Sequence, residues 1–178
     1  MSENMAEHQV ERFEKLVLPH LDDAYTLARY LLRDEHDAQD AVQDAVLRAL
    51  RHFEGFRQGD ARAWLLTIVR NCCYSWHKSH RWDRSTVSFS DDAAKEVTDP
   101  HAADELANQT SERERIQAAV DALPDELKEV IVLRELNELS YREISDVVGA
   151  PIGTVMSRLS RARNRLAAAL DEGSRKVG

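Results

Sequence analysis

Cysteine, glycine and proline are scarce in this chain, and each shortage excludes something. Two cysteines among 178 residues, adjacent at Cys72 and Cys73, cannot build a disulfide framework, because neighbours in sequence are poorly placed to bridge one another. Six glycines and four prolines leave few breaks, and no Gly-rich loop of the kind a nucleotide phosphate needs is present. No apolar run approaches the ~18 residues of a membrane span. The segment Met1-Ser-Glu-Asn-Met-Ala-Glu-His8 is acidic and lacks an apolar stretch, which predicts no secretory signal. No Ser/His/Asp set, P-loop or paired-carboxylate arrangement points to catalysis. The expectation is a non-enzymatic protein of the reducing cytoplasm, with no cofactor, no bound metal and no direct membrane insertion.

Charge, by contrast, is abundant and unevenly spread. The chain holds 24 Lys+Arg against 32 Asp+Glu, a formal net charge of −8. Residues 1–60 carry 7 basic and 13 acidic side chains, whereas 61–84 carry 5 and 1. Residues 85–110 turn acidic again, with 1 basic and 6 acidic. Within 152–170 there are four arginines (Arg158, Arg161, Arg163 and Arg165) and no acid. Two local basic patches therefore stand in acidic surroundings. At a Debye length of roughly 8 Å, a phosphate backbone senses the patch and not the total.

Helical periodicity dominates. It predicts a helix over about 10–32, with Phe13, Leu16, Val17, Leu21, Ala24, Leu27, Ala28 and Leu31 on one stripe. A second is expected over about 35–53, with Ala38, Ala41, Val42, Ala45, Val46, Ala49 and Leu50 inward. After the breaks at Gly55 and Gly59, a third starts near Asp60, a plausible N-cap, and runs to about 79. Residues 84–110, rich in Ser, Thr and Asp, are expected to form a solvated linker. Helical pattern resumes near 111, and Pro124 opens a helix to about 137. Ser140 with Glu143 makes a capping box for a short helix over 141–148, ended by Gly149. Pro151 then restarts a long helix to about 170. The fold class is all-α, two helical domains joined by a flexible acidic linker: 1–84, 85–110 and 111–172.

A short helix, a glycine and a longer Arg-rich helix make a helix-turn-helix pattern. In the longer helix Ile152, Val155, Leu159, Ala162 and Leu166 form a stripe to be buried. Thr154, Ser157, Arg158, Arg161 and Arg165 form another, suited to base edges and phosphates. In the third helix Leu65, Ile68, Val69, Cys72 and Trp76 face a core. Ala63, Thr67, Arg70, Asn71, Tyr74, Lys78 and Arg81 fall on the opposite face, where amides, an aromatic and cations suit exposed bases. A rival use of this helix is metal or thiol chemistry through Cys73, His77 and His80, which share one flank.

Two blocks of sequence together carry a family resemblance. Asp37-Ala-Gln-Asp-Ala-Val-Gln-Asp-Ala-Val-Leu-Arg-Ala-Leu50 precedes Ala61-Arg-Ala-Trp-Leu-Leu-Thr-Ile-Val-Arg-Asn71. Leu139-Ser-Tyr-Arg-Glu-Ile-Ser-Asp-Val-Val-Gly149 and Ile152-Gly-Thr-Val-Met-Ser-Arg-Leu-Ser-Arg-Ala-Arg163 follow. The chain resembles the extracytoplasmic-function (ECF) group of bacterial RNA polymerase sigma factors over about 10–84 and 111–170. The resemblance implies that the first domain is sigma region 2 and the second is sigma region 4. It implies that Asp40, Gln43 and Asp44 dock on the clamp helices of the largest subunit of core RNA polymerase. It further implies that Asn71, Tyr74, Lys78, His80 and Arg81 read the −10 promoter element as unstacked bases. Thr154, Ser157, Arg158, Arg161 and Arg165 would then read the −35 element of promoter DNA in the major groove. An anti-sigma factor is implied as a further partner, and a stress or signal response as the setting. Ser75, Met156 and Ser145 stand where relatives in that group carry Asp, a basic residue and Ala. The rivals are a stand-alone helix-turn-helix regulator and the metal- or thiol-responsive adaptor.

Overall fold

The computed structural model describes residues 2–84 and 103–175, with side chains described over 8–79 and 112–171. The side chains of His80 and Arg81, and residues 85–102 of the expected linker, lie outside what is described. Among the described residues all regular structure is helical: α1 (Ser2–Val17), α2 (Leu21–Leu32), α3 (Glu35–His52), α4 (Ala61–Arg84), α5 (Ala103–Asp121), α6 (Asp125–Glu135), α7 (Tyr141–Val148) and α8 (Ile152–Arg175), with 3-10 turns at Leu18–His20 and Phe53–Gly55. No helix among them is long and apolar enough to cross a membrane.

Helices α2, α3 and α4 pack on one another through small residues. Ala38, Ala41, Ala45 and Ala49 recur on one face of α3 and are fully buried, which lets neighbouring backbones approach closely. Asp34 caps α3 by accepting from the Asp37 amide at 2.9 Å, and Asp60 caps α4 by accepting from the amides of Arg62 (2.9 Å) and Ala63 (3.3 Å). An aromatic cluster pins the chain between α3 and α4. Phe53 meets Phe13 edge-on at 5.2 Å, Phe56 lies 4.9 Å from Trp64, and the Arg12 guanidinium donates to the Phe56 carbonyl at 3.0 Å.

In the second half, α8 packs against α5, α6 and α7. The expected capping box is present: Ser140 Oγ accepts from the Glu143 amide at 3.2 Å, and the Glu143 carboxylate accepts from the Ser140 amide at 2.7 Å. Gly149 ends α7 at φ +66°, a left-handed position that costs glycine nothing and most residues about 1 kcal/mol. Ser145 closes the turn by donating to the Ala150 carbonyl at 2.6 Å, a bond that alanine cannot make. The two halves also meet, α2 against α6 and α4 against α7, and one apolar cluster runs through both.

Several expectations are corrected. The stripe predicted as one helix over 10–32 is broken at Leu18–His20. Pro19 lacks the N–H needed to continue the α1 ladder, and apolar spacing survives because a 3-10 turn advances side chains almost as an α turn does. Leu16, Leu50 and Ile152, expected to face inward on their stripes, are 38%, 44% and 43% exposed. Helix α5 begins at Ala103, ahead of the expected start near 111. Cys73 is as buried as Cys72, because α4 is covered by α2 and α3 on one side and by the second half on the other.

Candidate nucleic-acid and partner surfaces

The outer face of α3 places Asp40, Gln43 and Asp44 together, since residues three and four apart share a helix face. Asp40 and Gln43 are exposed, and Asp44 is half-buried and paired with Arg48 at 2.8 Å. Sequence reasoning missed the apolar part of this face: Leu47, 53% exposed, and Leu50 lie beside the acids. Exposed leucines flanked by carboxylates suit a partner that is basic and partly apolar.

On α8 the stripe Val155, Leu159 and Ala162 is buried, with Leu166 half-buried beside it. Ser157, Arg161 and Arg165 are exposed on the opposite side, and Thr154 is half-buried. Ser157 Oγ donates to the Thr154 carbonyl at 3.0 Å. Arg158 is set apart from them. It turns inward, 16% exposed, towards Glu126 Oε2 at 3.3 Å and Glu129 Oε1 at 3.7 Å.

The polar face of α4 divides in the same way. Asn71 and Lys78 are exposed, but Arg70 and Tyr74 point into the seam between the halves. Arg70 donates to both oxygens of Glu129 (2.7 and 3.2 Å), and the Tyr74 hydroxyl donates to the same carboxylate at 2.8 Å. The guanidinium also lies 4.7 Å above the Tyr74 ring. Burial, with the Glu129 charge beside it, pushes the Tyr74 hydroxyl well above its ordinary pKa. Glu129 is fully buried, with two donors from α4 hydrogen-bonded to it and the Arg158 guanidinium of α8 at ion-pair distance.

A second ionic cluster bridges the halves nearby. Arg62 of α4 grips Asp23 of α2 bidentately (2.7 and 3.0 Å) and donates to the Asn137 carbonyl, while Asn137 Nδ2 donates to Asp23 at 3.1 Å. Burial pushes the Asp23 pKa up, but these donors outweigh it and hold the carboxyl below its ordinary value of 3.8. Arg33 reaches Asp121 in the same seam. Lys128 is fully buried beside these groups, and its ammonium has no hydrogen-bond partner. Burial, then repulsion from Arg33, lowers its pKa.

A cleft of about 390 Å³ opens at the loop before α4, lined by Phe56, Gln58, Asp60, Trp64 and Thr67, with Asp146 of α7 at its edge. Aromatic faces beside amide and carboxylate groups fit an unstacked base. The signal in the sequence was the mixture in Phe53-Glu-Gly-Phe-Arg-Gln-Gly-Asp60, passed over as a break between helices. A second groove of about 280 Å³ is mostly apolar and lies between α2 and the second half, at Tyr30, Ile116, Ile131 and Leu136.

The metal or thiol reading of α4 meets opposing geometry. Cys73 is fully buried and burial pushes its thiol up to about 12, while Cys72 is pushed up to about 11. His77 Nε2 is engaged at 2.8 Å with the Leu31 carbonyl. Among the described residues no three His, Cys, Asp or Glu side chains are grouped to hold a metal ion.

Residues 16–83 match the Sigma-70 region 2 family, and residues 113–166 match Sigma-70, region 4. The ECF RNA polymerase sigma-E factor of Escherichia coli (strain K12) is 34% identical over 141 residues, 73% of this chain and 72% of that protein. ECF RNA polymerase sigma factor SigE of Mycolicibacterium smegmatis is 30% identical over 154 residues; the match takes in 86% of this chain but only 60% of that longer protein. Among solved structures, the sigma factor RpoE in complex with the anti-sigma factor NepR from Bartonella quintana superposes with a TM-score of 0.72. Identity there is 28%, covering 90% of this chain and 98% of RpoE. CnrH in complex with the cytosolic domain of CnrY gives 0.68 at 27% identity, covering 96% of this chain and 94% of that one.

Proposed function

Because this chain belongs to the ECF sigma factors of the sigma-70 family, we propose that it binds core RNA polymerase and directs initiation at a defined set of promoters. The arginine face of α8, with Arg161 and Arg165 exposed and no acid beside them on that helix stretch, is the observation that carries this reading; the exposed Asn71 and Lys78 of α4, on the other half, support it, since a ligand-sensing first domain would have no use for them. The protein supplies recognition to the active site of polymerase and performs no reaction itself.

Residues 1–84 would act as the polymerase-binding and −10 module, and 111–172 as the −35 module, with 85–110 between them. On α3, Asp40, Gln43 and Asp44, extended by Leu47, would meet the clamp helices. Asn71, Tyr74 and Lys78, with His80 and Arg81 beyond them, would follow the non-template strand, and the cleft at Phe56, Gln58 and Trp64 would hold a flipped base. Unstacking a base costs a few kcal/mol, which aromatic stacking and hydrogen bonds in such a cleft can return. Thr154, Ser157, Arg158, Arg161 and Arg165 would enter the −35 major groove. An anti-sigma factor would hold the protein inactive in the cytoplasm, or at the membrane if it is anchored there, until a stress or signal releases it. RpoE is seen with the anti-sigma factor NepR, and CnrH with the cytosolic domain of CnrY.

The test is transcription in vitro with core polymerase, with and without this protein, on promoters of its own host. New, protein-dependent transcripts are expected. The double variant Asp40→Ala/Gln43→Ala should fold normally but be captured poorly by core enzyme in a pull-down; normal capture would reject that docking face. Footprinting of a promoter by the protein alone, at the same concentration and without polymerase, would instead favour a stand-alone regulator.

A further inference from the structure

Most large apolar side chains of the second half are buried, but two at the start of α8 are not: Ile152 is 43% exposed and Met156 is 52% exposed. Residues four apart on a helix stand one above the other, so the pair forms a single apolar strip. At about 100° per residue, Met156 lies about 140° round the helix from Arg161, with Arg165 beyond it. Between the two flanks stand Gly153, Ser157 and Ser160, all exposed and none with a long side chain. Gly153 faces open space: a Cβ built on it would meet nothing within 4 Å. The arginine that shares the Met156 side, Arg163, is held by Glu135 at 2.7 Å. The outer face of α8 is thus divided lengthwise, apolar on one flank, cationic on the other, and low between them.

In a helix-turn-helix the first turns of the second helix face the base edges, and the first turn of α8 carries no acid to repel a duplex. Adenine, guanine and cytosine present only donors and acceptors in the major groove; thymine alone adds a methyl group. An apolar strip at that place, beside exposed arginines that suit phosphate, has this methyl as its counterpart on DNA. The unbranched thioether of methionine adapts its shape to such a contact. We propose that Met156, with Ile152 beside it, selects thymine in the −35 element by packing on the 5-methyl group, while Arg161 and Arg165 on the other flank make the polar contacts. This inference rests on the sigma-factor reading and adds to it a determinant of which promoters are chosen. The contact is worth about one buried methyl group, or roughly fourfold in binding.

The experiment uses holoenzyme assembled from core polymerase and the full chain, on a host promoter that wild type transcribes, randomised across the −35 region. Bound duplexes are sequenced for wild type, Met156→Ala and Met156→Arg, which should melt alike because residue 156 is exposed. Wild type should enrich thymine at a position where Met156→Ala shows little preference. Met156→Arg should move that position to guanine, whose O6 and N7 an arginine binds bidentately. In the site selected by wild type, deoxyuridine in place of that thymine should lower occupancy about fourfold, and should leave Met156→Ala unchanged. The same base profile for all three proteins, or deoxyuridine bound by wild type as well as thymine, would overturn the assignment. Poor capture of core enzyme by Met156→Ala, with an unchanged base profile, would give the strip to a protein contact and overturn it as well. If wild type starts no transcript with core polymerase on any host promoter, the sigma reading itself falls; transcription with a base profile indifferent to residue 156 rejects only the role of Met156.

Discussion

The interior of each half and the seam between the halves are held by different physics. Inside the first half, four alanines of α3 and the side chains Leu65, Leu66 and Val69 of α4 are fully buried, and nothing there is gained by exposure to water. At the seam the central contacts are Glu129 with Arg70 and Tyr74, and Asp23 with Arg62 and Asn137. Apolar burial at roughly 25 cal/mol per Å² has no good alternative in solution. Ionic pairs do, because each partner is well solvated once released, and a buried pair is worth little over its hydrated parts. The interiors of the halves are held by apolar burial alone, whereas the seam adds these ionic clusters to the apolar cluster that runs through both halves.

The largest effect should come from breaking the apolar side of that contrast. Leu65→Ala should cost about 2–5 kcal/mol of stability, read from urea denaturation, and should lower DNA binding only by unfolding the chain. A loss under about 1 kcal/mol would mean that the first half is not held by its interior.

Next in size is a change that sharpens the seam. Lys128→Met removes a buried ammonium without a hydrogen-bond partner and should stabilise the fold by about 1–3 kcal/mol, seen as a higher midpoint in thermal melts. The lysine pKa is lowered in the folded chain, so the cost it imposes is full at neutral pH and disappears only as the pH rises past its ordinary value of 10.5. The gain from the methionine should therefore shrink in alkaline buffer; a gain that is constant with pH would assign it to packing instead.

Arg161→Ala tests the open side of α8. The side chain is exposed, so stability should not change, while promoter occupancy by the holoenzyme should fall by about 1–3 kcal/mol if it reads a base. Unchanged footprints at the −35 element would remove Arg161 from that role.

The smallest effect concerns Asp23. Its carboxyl sits below its ordinary pKa, so it contributes stability that is complete above pH 3.8 and is lost as pH falls through the lowered value. The group is a quarter exposed, and its contribution should be about 1 kcal/mol or less. Asp23→Asn should flatten the acid limb of the stability curve; an unaltered limb would place the sensitivity elsewhere.

The sequence made local features readable and contacts between distant segments unreadable. Asp60, the Ser140–Glu143 box and Gly149 carry their geometry within four residues, and each is found where its chemistry put it. The first part of α8 was nearly as plain, because an apolar stripe at helical spacing opposes arginines without acids. Arg158 and Tyr74 look no different in sequence from Arg161 and Asn71. What separates them is Glu129, 29 residues from one and 55 from the other, and no periodicity encodes that meeting. Cys73 and Arg70 misled for a related reason. The amphipathic reading allows a helix one buried face, whereas α4 is covered on two sides. The cleft at Phe56 and Trp64 was missed because glycines were read as breaks and not as room.

The alanine row of α3 has a mechanical meaning. Alanine has no rotamers to rearrange, so Ala38, Ala41, Ala45 and Ala49 leave no soft layer between α3 and the helices it touches. A pull exerted on the outer surface at Asp40 and Leu47 would be transmitted undamped into α2 and α4, the helices that carry Asp23, Arg62 and Arg70. Through that stiffness, any partner bound to the outer surface of α3 would gain leverage on side chains it never touches.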